Sequence, residues 1–430
     1  MRTRFLAVVL FVGVMSLTLS LIRGQEKLGT PAAKEVPKTP VAPAPVVQQS
    51  APIPLAPARD LTHLTGQAQQ FLQTGQRGAD WLFRMHGIKG RFQPGLMPAL
   101  NQVVEGDGFM RQAGATRALG HAARFCGEDR FAARATQAVL ALLEETTLDP
   151  NDSLSRTLAL PPGAVNRLGG IAAIVLAIHE LPAPQSDLLD RSEQLCRTIA
   201  KMARPDGALG WDDGSGKLVS DDDGIPYHPG LALQALLASH RKRPADWKLA
   251  AVRKALPIYR DWWKTHQDLD FVATMAPAFT EAYLVTKDKS LGDFVLVMGD
   301  WLCTMQYVQM DPRRALWFGG FRSVQGGKGV ETLPTSRSAL YCGSLIAACR
   351  VAADRGDLTN HQRYTEAIER TLQFLTTLQY TDGVTQHFAQ WYRPQILGAF
   401  HTSQLDGNIR LEDTEHAVVT LMGYLEHVVR

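Results

Sequence analysis

Cysteine is scarce in this chain, and its spacing excludes more than its number does. Five cysteines (Cys126, Cys196, Cys303, Cys342, Cys349) occur in 430 residues, none in a Cys-x-x-Cys pair. They sit inside helical patterns, which argues against a disulfide framework and leaves them as small buried apolar residues. Net charge is scarce as well. The formal balance is +3, and Arg2, Arg4 and Arg23 lie in or beside an N-terminal apolar segment. The remainder is near neutral and offers no electrostatic footprint for nucleic acid. Several signatures of chemistry are missing too: there is no His-Glu-x-x-His, no Gly-x-Ser-x-Gly and no Cys/His cluster with metal-ligand spacing. The Gly-rich loop 317–337 fails the phosphate-loop pattern, because Lys328 is followed by Gly329.

What is present begins with an export signal. Met1-Arg-Thr-Arg4 supplies a basic start, and residues 5–22 form an apolar run. Residues 1–24 therefore read as a signal peptide or a retained membrane anchor, with cleavage left open by the poor small-x-small site at Ile22-Arg23-Gly24. No other contact with a membrane is expected. Residues 25–60, rich in Pro, Ala, Val and Gln around 30–57, read as an extended tether. Export of residues 61–430 to the periplasm or the exterior is the expectation.

The body is built on a repeated helical hairpin. Its clearest copy is 111–146, where an apolar helix (111–125) and a one-sided helix (129–145) are joined by Cys126-Gly127-Glu128. Gly127 suits the positive φ of a helix C′ position, and Asp129 suits a cap. A joint this short makes the two helices antiparallel neighbours. Enclosed helices are predicted at 111–125, 165–180, 228–240, 273–286, 338–353 and 412–427, because each is apolar almost all round. Charged outer partners are predicted at 68–85, 129–145, 187–203, 245–266, 291–308 and 360–378. Pro257 is expected to kink the fourth of these. Ser290–Asp293 and Thr359–Gln362 are expected to be capping boxes. Six hairpins with complementary unpaired ends predict an all-α, closed (α/α)6 toroid. Inner-to-outer joints are short and outer-to-inner connections long. The long loops should therefore emerge on one face, around the N-termini of the inner helices, where a site belongs.

The connections after several outer helices share a Gln…Asp-Gly…Trp look: 202–211 (MARPDGALGW), 378–387 (LQYTDGVTQH) and, more loosely, 306–318. This resembles the turn recurring in terpenoid cyclases and related toroids. Over about 65–430 the hairpin order resembles the six-hairpin glycosidase-like superfamily, which includes glycoside hydrolases, polysaccharide lyases and sugar epimerases. The resemblance implies a site in the toroid mouth acting on a poly- or oligosaccharide. The cyclases' acidic motif is not reproduced, since Ser220 precedes Asp221-Asp222-Asp223.

Three loops hold the candidate chemistry. In 209–228, a turn at Gly214–Gly216 would project Trp211, Asp212 and Asp213 against Asp221–Asp223. Trp211 offers a stacking platform, and Asp222 with Glu412 would serve a hydrolase as acid and base. Asp221–Asp223 could hold Ca²⁺ through hard oxygens, though without EF-hand spacing; no other cofactor is expected. Acidic turns of this kind are commonly solvated caps. Tyr227 and His228 start the next inner helix and stand as catalytic candidates. In 380–411, His401 is a candidate base, and Trp391, Tyr392 and Arg393 are candidate substrate contacts; the plainer alternative is ring-closing packing. Arg322, in 317–337, would clamp a carboxylate. A lyase would pair Tyr227, His228 or His401 with Arg322 or Arg393, and this mixture leans toward anionic sugars. Glu105 and Asp107 are the expected partners of Arg111 and Arg117. A non-catalytic, envelope-tethered binding module and a terpenoid cyclase-like protein are the competing readings.

Overall fold

The structure is a computed structural model that describes residues 61–64, 66–106, 108–160, 165–212, 218–219 and 224–429, with backbone only at 211–212 and 218–219. Residues 1–60, Asp107, the turn at Gly214–Gly216 and Asp221–Asp223 lie outside the described residues. Among the described residues no helix is long and apolar enough to cross a membrane.

Thirteen α-helices are described: α1 (Gly66–Met85), α2 (Phe109–Cys126), α3 (Asp129–Glu144), α4 (Arg167–Glu180), α5 (Ser186–Lys201), α6 (His228–Lys242), α7 (Asp246–Trp263), α8 (Leu269–Thr286), α9 (Lys289–Met305), α10 (Ser338–Arg355), α11 (Leu358–Thr376), the single turn α12 (Arg393–Ile396) and α13 (Leu411–His427). The enclosed set is legible in burial. Every residue of α4 from Leu168 to His179 is buried, and so is every residue of α6 from Pro229 to Ser239. By contrast α5 buries a stripe, Leu188, Ser192, Leu195, Cys196, Thr198 and Ile199. A helix buried all round needs neighbours all round, and a striped one needs them on a single side.

The inner helices pack in the order α2, α4, α6, α8, α10, α13 and back to α2, so the ring is closed. Each outer helix covers its own inner partner. The unpaired first helix α1 packs on the unpaired last one, α13. Buried Trp81 of α1 secures that closure by donating its indole N–H to the Gln395 carbonyl at 2.9 Å.

The capping pattern differs from the expectation. Asp288 caps α9 by accepting from the Ser290 N–H at 3.0 Å, and Asp357 caps α11 by accepting from the Asn360 N–H at 3.0 Å. The expected boxes at Ser290 and Thr359 therefore begin inside their helices. In both cases an aspartate two residues earlier takes the position, where its charge also meets the helix dipole. Asp129 is the first residue of α3, and its N-cap Glu128 makes no side-chain cap bond. Gly127 does adopt φ 71°. Helix α7 runs from Asp246 to Trp263 with Pro257 inside it.

Strands, among the described residues, occur only in the long connections. The first and last connections share a four-stranded sheet in the order β2 (Gln102–Val103), β1 (Gly95–Met97), β10 (Asp406–Arg410), β9 (His401–Ser403). Three hairpins, β3–β4 (Thr146–Asp149, Asp152–Leu158), β5–β6 (Trp211–Asp212, Leu218–Val219) and β7–β8 (Ser323–Gln325, Lys328–Val330), fill the others. The two recurring turn glutamines have a structural task. Buried Gln379 donates to the Thr74 and Gly398 carbonyls, and buried Gln306 donates to the Gly319 and Ala367 carbonyls. Each ties its loop to an outer helix of the next hairpin.

Candidate functional site at the ring axis

The six inner helices run parallel, so their N-termini gather on the face that carries the long loops. Two helices set the character of the bore. On α2 the residues Met110, Gly114, Arg117, His121 and Arg124 recur at the spacing of one helix face, and on α13 so do Glu412, Glu415, His416, Gly423 and Glu426. The faces meet in register. Arg111 pairs with Glu412 at 3.0 Å and Arg124 with Glu426 at 2.7 Å; between them the Glu415 carboxyl occupies the space a Cβ on Gly114 would need.

Two cavities lie along this axis. An upper one of about 260 Å³ sits at the mouth, among Arg111, Asp270, Arg337, Glu412 and Asp413. A lower one of about 500 Å³ extends toward the C-terminal ends of the inner helices. Met110, Tyr227, Leu340, Glu415 and His416 line both and form the partition between them.

Glu415 is the chemically distinctive member. It is 7% exposed, and its Oε2 is buried without a hydrogen-bond partner. Burial first, and the neighbouring Glu412 next, push its carboxyl well above the usual range, against the opposing pull of Arg117. His416 Nδ1 lies 3.4 Å from Glu415 Oε1. Burial, with Arg337 and Arg117, pushes that imidazole down to about 3, so it is neutral. Tyr227 is pushed up to about 12 by burial and by Glu415, and keeps its phenolic proton. The partition thus holds a carboxyl raised well above its usual range, a neutral imidazole and a phenol.

The rim is braced by hydrogen bonds between charged and polar groups. Arg337 donates to both carboxylate oxygens of Asp270, on whose Oδ1 the Tyr341 hydroxyl sits at 3.4 Å. Asp413, raised to about 6 by burial, accepts from the Ser336 hydroxyl, from the Thr402 hydroxyl at 2.9 Å and from the Arg410 N–H at 3.2 Å. It therefore knits two loops to the start of α13.

The sequence-derived candidates separate. Tyr227 and Glu412 stand at the mouth. His228 meets the Tyr227 ring edge-on at 5.7 Å but is directed against Gly169 of α4 and lines neither cavity. His401 places Nδ1 2.7 Å from the Ser403 carbonyl and packs on Tyr380, outside both linings. Arg322 lies over the Tyr307 ring and donates to the Thr304 carbonyl at 3.2 Å. Arg393 donates to the Phe388 and Gln386 carbonyls. Tyr392 is buried against Phe388, while Trp391 is 66% exposed. Neighbouring carbonyls and rings engage these groups, the Tyr392 hydroxyl staying buried without a hydrogen-bond partner, and none lines either of the two cavities. Trp211 and Asp212 pair with Val219 and Leu218 through their backbones; Asp222 and the suggested Ca²⁺ site at Asp221–Asp223 are outside the described residues. Among the described residues no group of three or more His, Cys, Asp and Glu could hold a metal ion.

The expected partners of the α2 arginines are corrected. Arg111 pairs with Glu412, and Arg117 lies 3.8 Å from Glu180, because both arginines point into the bore and Glu105 is exposed outside it. Glu415, His121, Asp270 and Arg337 are not among the sequence-derived site residues, and Arg117 reads there as structural. The charged stripe at helical spacing on α2 and α13 would have found Glu415, Arg117 and His121; Asp270 and Arg337 stand at the starts of α8 and α10 and carry no such signal.

No protein-family model matches the sequence, and no curated protein does. Solved structures do match. The GH76A α-1,6-mannanase from Salegentibacter sp. is 11% identical over 82% of this chain and 98% of its own, with a TM-score of 0.58. An unsaturated glucuronyl hydrolase specific for heparin is 13% identical over 84% and 100%, at 0.56. Cellobiose 2-epimerase from Bacillus thermoamylovorans is 12% identical over 83% and 99%, at 0.58. The chain has the fold of the six-hairpin glycosidase-like toroids. At these identities the likeness is one of fold, and chemistry has to be argued from the site.

Proposed function

We propose that the protein is a carbohydrate-active enzyme that hydrolyses a glycosidic bond at the partition between the two cavities. The observation that carries this is Glu415, a buried carboxyl held well above the usual carboxyl range, beside Glu412, which pairs with Arg111. Glu415 gives its proton to the leaving-group oxygen as the bond from that oxygen to the anomeric carbon breaks. Water adds its oxygen to the anomeric carbon, and its proton passes to Glu412. An acid and a base carried by two neighbouring carboxyl groups are what this chemistry needs. Arg111 and Arg337 lie at the rim, suited to sugar hydroxyls or a uronate carboxylate. The structural neighbours named for mannan, heparin and cellobiose chemistry give the reading its context.

A lyase reading fares worse on the same groups. It needs a base, and Tyr227, raised to about 12, holds its proton at neutral pH. A terpenoid cyclase reading fares worse as well, since the chamber is charged at both ends. The apolar run 5–22 and the tether 25–60 would place the ring outside the cytoplasm, where polymeric saccharides are met. The test is a panel of neutral and uronate-containing oligosaccharides, assayed for new reducing ends with wild type and Glu415→Gln. Cleavage by wild type, reduced at least about 10²-fold in the variant, is expected. A panel left intact, or equal rates, would overturn the reading.

A further inference from the structure

The lower chamber, about 500 Å³, is reached from the pole opposite the mouth. Arg124, Arg241 and Lys242 line it and are themselves exposed, so it opens to solvent where the inner helices end. A belt of ion pairs stands at that opening. Arg124 binds Glu426 at 2.7 Å and Glu180 at 3.2 Å; Arg350 and Arg241 bind Glu281 at 2.6 and 3.2 Å. These groups come from α2, α13, α4, α10, α6 and α8, one from every inner helix. The hydrolysis proposed at the partition uses none of them.

The balance of charge decides what the chamber can hold. Arg117, Lys242 and the three arginines of the belt line it. Glu180, Glu281 and Glu426 oppose them, each held below the usual carboxyl range by its arginines and therefore ionised. Burial pushes His179 and His427 down to about 4, so neither adds charge at neutral pH. The remaining surplus of cations meets six helix C-termini, each carrying roughly half a negative charge. An ion of either sign therefore gains little, whereas a neutral molecule rich in hydroxyls finds donors and acceptors together. Each guanidinium has more N–H groups than its ion pair uses, and each carboxylate has acceptor sites to spare. Further in, Leu176, Leu231, Ile346 and Val419 give the wall an aliphatic surface that matches the C–H faces of a sugar ring. At the inner end Glu415 Oε2 and His121 Nε2 are buried and make no hydrogen bond. Such atoms are costly to leave unpaired, and a hydroxyl arriving there has a group to meet. The volume falls within the roughly 300–1,000 Å³ of small-molecule pockets.

We propose that the lower chamber is a second binding site, entered from the pole opposite the mouth, for a small neutral polyhydroxylated molecule the size of a mono- or disaccharide. The proposal is independent of the reading of Glu415 as proton donor, because the ligand enters past the belt and nothing has to cross the partition. The ion pairs of the belt fix the arginine forks before the ligand arrives, which lowers the cost of ordering them. Small residues on the facing helices, among them Ala173, Gly343 and Gly423, leave the room.

The experiment is calorimetry on the full protein with glucose, mannose, galactose and sucrose, and with glucuronate and inorganic phosphate as charged probes. At least one neutral sugar should bind, and more tightly than either charged probe. Two positions then locate it. A Cβ on Gly343 would meet nothing nearer than Thr420 Oγ1 at 3.9 Å, and one on Gly423 nothing nearer than Ile346 Cδ1 at 3.8 Å. Gly343→Leu and Gly423→Leu therefore fill the chamber without displacing its wall, and leucine favours the helix over glycine, so folding is retained, which thermal melting checks. Each should raise Kd for that sugar about tenfold or more. Arg241→Ala, at the exposed opening, should also weaken binding and serves if a leucine variant melts early. Arg337→Ala, at the rim of the upper cavity, should bind as wild type does. No binding by any neutral sugar, or tighter binding of glucuronate or phosphate, would overturn the proposed ligand class. Leucine and Arg241→Ala variants that bind like wild type, or loss of binding in Arg337→Ala alone, would place the sugar at the mouth and overturn the second site.

Discussion

Glu415 is held well above the usual carboxyl range because burial removes water and Glu412 adds a like charge, and the opposing pull of Arg117 and Arg111 does not compensate. The sign of the consequence is definite. A general acid must be protonated, so turnover should be present at neutral pH and decline as pH rises through the raised Glu415 value. A base-catalysed site would show the opposite slope. Gly114 offers an independent handle, since the Glu415 carboxyl fills the place of its missing Cβ. Gly114→Ala should displace the acid and cost up to about 10² in kcat. Its melting temperature should hold or rise, because alanine favours a helix over glycine by about 1 kcal/mol. A fall in both quantities together would show that Gly114 serves packing and not the placement of the acid. At this scale the sequence was least informative. Tyr227 and Glu412 could be picked out from the start of their helices, but Glu415 reads as one more polar residue in an acidic first turn until its neighbours on α2 are known.

Individual elements were mostly legible, their ends less so. The apolar surround of α4 and the stripe of α5 mark inner and outer helices directly, because a helix reports the neighbours it needs. Caps failed where two candidates stood two residues apart, as Asp357 and Thr359 do. The structure chooses the aspartate, whose carboxylate accepts from the Asn360 N–H at 3.0 Å. Asp357→Ala should therefore cost about 1 kcal/mol and Thr359→Ala much less, as measured by urea unfolding. Equal costs would return the cap to Thr359. The aromatic and basic residues of 380–411 misled for a different reason. Arg393, Tyr392 and His401 carry the types a sugar site uses, yet the loop consumes them internally, on carbonyls and rings next to them. Composition cannot tell a group spent on its own loop from one offered to a ligand.

The whole ring follows from repetition. Six hairpins with an unpaired helix at each end can satisfy both by closing, and α1 does pack on α13. What could not be read was the belt at the far pole, whose partners Arg124–Glu426, Arg124–Glu180, Arg241–Glu281 and Arg350–Glu281 lie 302, 56, 40 and 69 residues apart and meet only in the assembled ring. That belt has a pH signature. His121, Arg117 and Arg124 outweigh burial to hold Glu180 well below its usual range, and Arg124 with His121 holds Glu426 at about 2. Depressed carboxyls contribute stability that is present above about pH 4.5 and lost as pH falls toward 2. Buried His427, at about 4, works in the same direction below its ordinary 6.5. Thermal midpoints should therefore fall steeply through this window, and less steeply in Glu426→Gln; identical slopes would remove the belt from the account of stability.

The most direct test of the account is kcat/KM against pH for wild type and Glu415→Gln on the oligosaccharide that wild type cleaves fastest. The account predicts a wild-type profile that is high at neutral pH and falls on the alkaline side, with the variant lower by about 10² or more and without that limb. A variant that matches wild type across the profile would contradict it.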